Sequence, residues 1–210
     1  KSGNNWTVVT KGISELIVQY RIKCERPFLD QPWVEENWGM ISPTGVFLYT
    51  DKDLKNSVTV TIEPFPKWTS PLATGLDTVD GMHNTFFADD FDILYDSPIL
   101  MGNLESLEPF YINNIPHYFI GYEIGDINRG EFMANLKKIT IAGINIINGI
   151  PYKHYKYLSI AYGPGGIEHL NSTVISFRSK HFLAAPETRF RNYKLLAHEY
   201  FHHYNVKRIR

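Results

Sequence analysis

Polar and apolar residues alternate through "ELIVQYRIKC". Leu16, Val18, Tyr20, Ile22 and Cys24 take one face, and Ile17, Gln19, Arg21 and Lys23 the other. A period of two predicts a strand. "GVFLYT", "SVTVTIEPF" and "HYFIGYEIG" carry similar signals, separated by turn-rich pieces such as "TDKDLKN". Short strands punctuated by Pro, Gly and Asn predict an antiparallel β-sandwich.

The texture changes near Asn128. In "RGEFMANLKKITIAGINIING", Phe132, Leu136, Ile139, Gly143, Ile146 and Ile147 recur at helical spacing, which predicts one long helix. "YKHYKYLSIAY" predicts a strand, and "GGIEHLNSTVISF" a second strand opened by a glycine pair. From Pro186, "PETRFRNYKLLAHEYFHHYNVKR" predicts a helix with proline near its start. A β-rich stretch followed by helix–strand–strand–helix predicts two domains, residues 1–127 and 128–210.

Composition narrows the function classes. The net charge is −1, with acids and bases interspersed, so no basic face points to nucleic acid. Cys24 is the only cysteine, which excludes an intrachain disulfide and a cysteine-based metal cluster. No apolar run approaches the ~20 residues of a membrane span. The chain opens "KSGNNW" without Met. The expectation is a cut start and an exported bacterial parent, with compartment and oligomeric state left open.

The chemistry is concentrated in "HEYFHHYNVKRIR", residues 198–210. His198 and His202 stand four apart, so on a helix they share one face, one turn from each other. Two neutral imidazoles so placed can grip one Zn²⁺. Glu199 follows the first His, as in the H-E-x-x-H arrangement of metallopeptidases, where it serves as general base. Leu195, Leu196 and Phe201 give the same helix a buried side. The rival reading is a surface helix rich in His.

A zinc site needs a third protein ligand. His203 points about 100° around the helix and cannot join the same grip. His169, His181, Glu168 and Glu187 are formally available, and no spacing recommends any of them. The expectation is a third ligand beyond Arg210. His83, His117, His154 and His181 read as surface or hydrogen-bonded residues. Lys207, Arg208 and Arg210 read as cations near a helix C-terminus. Trp33, Trp38 and Trp68 read as core aromatics rather than a carbohydrate platform.

"YGPGGIEHLNST", residues 162–173, is the second informative segment. Gly165 and Gly166 let the backbone pass close to something, and Glu168 follows on a predicted strand. One reading is a bulged edge strand with an exposed acid. The other is a substrate edge, on which an extended peptide pairs with the strand and Glu168 attracts its amino terminus.

Together these segments resemble the M61 peptidase family, the glycyl aminopeptidase family of zinc metallopeptidases. "HEYFHHYNVKRIR" looks like that family's zinc helix, and "GGIEHLNST" like its GG-apolar-EH-x-NST segment. "PFPKWTSPLATGL", "FDILYDSPILMG" and "GIPYKHYKYL" resemble further family stretches in the same order. The resemblance implies a multidomain, β-rich fold, an N-terminal β-sandwich followed by the first part of a thermolysin-like α+β catalytic domain. It implies a gluzincin aminopeptidase acting on peptides, with His198 and His202 as zinc ligands and Glu199 as base. A Glu from a later helix would be the third ligand, and Glu168 the acid that binds the substrate's amino group. Tyr204 stands where many members carry Trp. On this reading the chain is an excised piece, lacking the third ligand and the PDZ-like domain such proteins often carry, and inactive by itself. The rival function is a non-catalytic β-sandwich binding module with a decayed peptidase motif.

Overall fold

A computed structural model describes residues 5–25, 29–161 and 163–209 of the chain. The first hundred residues lay down β1 (Trp33–Val34), β2 (Trp38–Ile41), β3 (Val58–Thr61), β4 (Ala73–Thr74), β5 (Asp77–Thr78), β6 (Thr85–Ala88), the short α1 (Phe91–Tyr95) and β7 (Ile99–Gly102). They form two antiparallel sheets, ordered β1-β2-β7-β4 and β3-β6-β5. Asp90 starts α1 by accepting a hydrogen bond from the Ile93 amide at 2.9 Å.

β7 is buried along its whole length, and its neighbours explain why. Ile99 and Met101 enter one apolar cluster with Val60, Phe86 and Leu76, while Leu100 enters another with Trp38, Met40, Leu158 and Val174. A strand covered on both faces needs apolar residues at every position rather than at alternate ones. Trp38 and Trp68 sit in these cores.

The third sheet follows. β8 (Glu105–Ser106), β9 (Phe110–Ile112) and β10 (Ile115–Gly121) precede the long helix α2 (Arg129–Ile147). After it come β11 (Tyr155–Ile160), β12 (Gly166–Glu168), β13 (Ser172–Ser176), α3 (Ser179–Ala184) and α4 (Pro186–Asn205). The sheet order is β12-β13-β11-β10-β8, with β9 also on β10. β10 and β11 run parallel, so α2 is their crossover. Asn128 caps α2 by accepting from the Glu131 amide at 3.1 Å, and Asn148 ends it in the left-handed region at φ 58°.

Several expectations change here. Residues 15–24 join no strand, and Leu16, Ile17, Val18, Tyr20 and Ile22 are exposed. Alternation specifies faces, but a strand also needs a neighbour to take its backbone hydrogen bonds, and among the described residues none pairs with it. "GVFLYT" is not a strand either. A 3-10 turn over Pro43–Gly45 precedes it, and the Phe47 amide bonds back to the Pro43 carbonyl at 2.9 Å. "GGIEHLNSTVISF" is two antiparallel strands, with its turn at 169–171. In α2 the buried residues are Phe132, Met133, Leu136, Thr140 and Ile144, while Ile146 is exposed. The seam expected at 127/128 does not separate sheets, because β10 and β11 pair across it. The changeover falls between β7 and β8. No helix among the described residues is long and apolar enough to cross a membrane.

Candidate metal and catalytic centre

α4 presents two faces. Leu196, Tyr200 and Tyr204, spaced by four, are buried against α2 and the third sheet. His198 lies about 200° around the helix from Leu196, so the His198–His202 stripe faces away from that core. Pro186 opens the helix, and the Thr188 hydroxyl accepts from the Ala185 amide at 3.0 Å.

The two imidazoles converge. His198 Nε2 lies 2.9 Å from His202 Nε2, and the Asn205 side-chain oxygen lies 3.1 Å from His202 Nδ1. Donation from Nδ1 to Asn205 leaves His202 Nε2 with a lone pair directed at His198. One shared proton or one cation satisfies such an approach. Two imidazoles on a tetrahedral zinc stand about 3.3 Å apart at bond lengths of ~2.0–2.1 Å, so a few tenths of an ångström of opening admits the ion. The donor set therefore fits zinc. His203 points elsewhere, buried among Tyr152, Tyr155, Tyr200 and Tyr204. Among the described residues, no three His, Cys, Asp or Glu side chains converge as a metal cluster.

Glu199 is 4% exposed and is pressed against β12. A Cβ placed on Gly166 would come 2.6 Å from Glu199 Cγ and 2.8 Å from its carboxyl carbon. Only glycine leaves room for that carboxylate. Gly165, with φ +82°, sets the turn that brings Gly166 there. Burial raises the Glu199 pKa, His198 and His202 oppose the rise, and Glu168 adds to it. Glu168 ends β12, the strand that packs against α4. The sequence-derived set of Gly165, Gly166, Glu168, His198, Glu199 and His202 thus meets where α4 crosses β12, the edge strand of the third sheet.

The contacts that hold the end of β12 were not visible in the sequence. Asp96, the C-cap of α1, lies 3.0 Å from His169 Nδ1 and accepts from Lys207 Nζ at 2.8 Å. Arg208 donates to the Leu170 carbonyl at 2.8 Å and to Asn171 Oδ1 at 2.9 Å. The basic tail of α4 therefore clamps the β12–β13 turn, one residue past Glu168. Asp96 is 73 residues from His169 and 111 from Lys207, separations that no local pattern reveals.

With this geometry in place, comparison with known proteins is informative. Residues 1–103 match the family model described as the peptidase M61 N-terminal domain. Residues 1–103 carry the N-terminal region of the M61 family. The matched segment ends in the loop between β7 and β8, where the sheets change over. Among solved structures, an aminopeptidase N family protein from Idiomarina loihiensis superposes with a TM-score of 0.74 at 25% identity. That match covers 83% of the chain and 32% of the Idiomarina protein. Aminopeptidase A of Legionella pneumophila, crystallised with aspartic acid, gives a TM-score of 0.55 at 15% identity, over 84% of this chain and 23% of the other. The chain thus spans about a third of the first and a quarter of the second. No curated protein sequence matches it. Family and neighbours together mark a peptidase-related protein.

Proposed function

We propose that the protein is a zinc-dependent aminopeptidase. The observation that carries the reading is the meeting of His198, His202, Glu199, Gly166 and Glu168 at one crossing of α4 and β12. The two-sheet N-terminal part is read as a β-sandwich and the third sheet with α2 to α4 as the opening of a thermolysin-like catalytic domain. The Idiomarina match supports the second half of that reading, since 83% of the chain reaches well past residue 103.

His198 and His202 would hold the metal through Nε2, with a third ligand from elsewhere in the whole protein. Bound zinc supplies Lewis acidity toward water and the scissile carbonyl. Glu199 takes a proton from the attacking water and returns it to the leaving amine. Its pKa, raised by burial, suits both halves of that exchange. An extended peptide adds to the free edge of β12, and Glu168 at its end pairs with the substrate's ammonium group.

Glu168→Ala in the whole protein tests this directly. It should lower kcat/KM for peptides with a free amino terminus by about 30-fold or more, the loss expected for one charged pair. N-acetylated peptides should be cleaved equally by both forms. An equal loss for both substrates would contradict the amino-group role.

A further inference from the structure

A cleft distant from the HExxH face has no part in this chemistry. Along β10, His117 and Phe119 face the core under α2, while Pro116, Tyr118 and Ile120 face the opposite way. β11 runs parallel in register, Tyr118 beside Lys156, so His154 and Lys156 join that opposite face. Leu72, Leu76 and Asp77 form the facing wall. About 680 Å³ lies between them.

Both carboxylates of the cleft already have partners. Asp77 is taken by Lys153, 2.5 Å away. Glu105 is taken by Arg129 and by the Ile124 amide at 3.1 Å. Lys156 remains, with no ion pair among the described residues and only the Tyr118 ring beneath it, 5.9 Å from Nζ to centroid. Burial pushes its pKa down to about 8, against a weaker pull from Asp77. His154 Nε2, beside it, is buried without a hydrogen-bond partner. A cation drawn partly out of water without a counter-charge is unfavourable, and an anion beside it reverses the penalty. The apolar lining from Leu72, Leu76 and Ile120 favours an apolar body behind that anion.

We propose that this cleft binds a small organic monocarboxylate, its carboxylate on Lys156 and its apolar part against Leu72, Leu76 and Ile120. One uncompensated cation selects one negative charge. The site is separate from the peptidase centre and does not depend on the peptidase reading.

Benzoate is the probe, with benzyl alcohol as its uncharged counterpart, titrated calorimetrically into the whole protein. Benzoate should bind and benzyl alcohol should not. Lys156→Gln should weaken benzoate at least about tenfold, the worth of one charge-assisted contact, and Lys156→Arg should retain it. In the unmodified protein, benzoate should also slow acetylation of Lys156 by acetic anhydride, read by peptide mass, so a misfolded variant does not stop the test. Equal binding of the alcohol, benzoate binding indifferent to Lys156→Gln, or no protection of Lys156 would each overturn the proposal. Carboxylate captured at His198 and His202 would give the second of those results.

Discussion

At the scale of single residues, the centre rests on one contact. Gly166 leaves the buried Glu199 carboxylate the space that a Cβ would take, 2.6 Å from its Cγ and 2.8 Å from its carboxyl carbon. Gly166→Ala should cost at least about tenfold in kcat/KM, because a displaced base loses its alignment, while stability changes by roughly 1 kcal/mol. Steady-state kinetics beside a thermal melt separates the two effects. His198, Glu199 and His202 were legible in the sequence, since a four-residue spacing on a helix is a local geometry. The contact of Gly166 with Glu199 was not, because it depends on how β12 docks on α4.

His117 supplies a second residue-scale test. It is fully buried, stacked on Phe110 and bonded to the Tyr152 hydroxyl at 2.8 Å. Burial holds its pKa down at about 4. Between pH 6.5 and 4 the unfolded chain therefore binds a proton that the folded chain refuses, so stability falls as the pH drops through that window. The loss from this group amounts to about 3 kcal/mol at the lower end. In urea unfolding across this range, His117→Gln should give a shallower acid limb. His203, held at about 3 by burial, leaves part of the slope in place.

Elements bring these residues together through capping and clamping. α1, α4 and the β12–β13 turn meet at Asp96. Burial raises the Asp96 pKa, and the bonds from His169 and Lys207 outweigh it, leaving the carboxyl below its ordinary range. Asp96→Asn should lower stability by about 1–2 kcal/mol. It should also raise KM for free-amine peptides more than it lowers kcat, because the turn it loosens follows directly on Glu168. A change confined to the melting temperature would leave Asp96 a purely structural role. The long elements were readable from the sequence. α2 and α4 announce themselves by apolar spacing and by Asn128 and Pro186. The short ones were not: β12 and β13 merged into one predicted strand, because a three-residue turn of His169, Leu170 and Asn171 carries neither Gly nor Pro.

For the molecule as a whole, the sheets decide what the pattern could not. β7 looks like any apolar run until Ile99 and Leu100 are seen to face different cores. The 127/128 seam followed a real change of texture, the start of α2. Sheet pairing, however, joins β10 to β11 across it, a non-local event with no composition signature. The exposed alternation at 15–24 makes the same point in reverse, for a pattern alone makes no strand.

The proposed activity requires a catalytic zinc held by His198 and His202. The measurement that tests it most directly is metal content by plasma mass spectrometry on the whole protein and its His198→Ala and His202→Ala variants, each assayed for peptidase activity. About one zinc per chain is expected, lost together with activity in both variants. Zinc retained in both variants, or peptidase activity undiminished without the histidines, would contradict it.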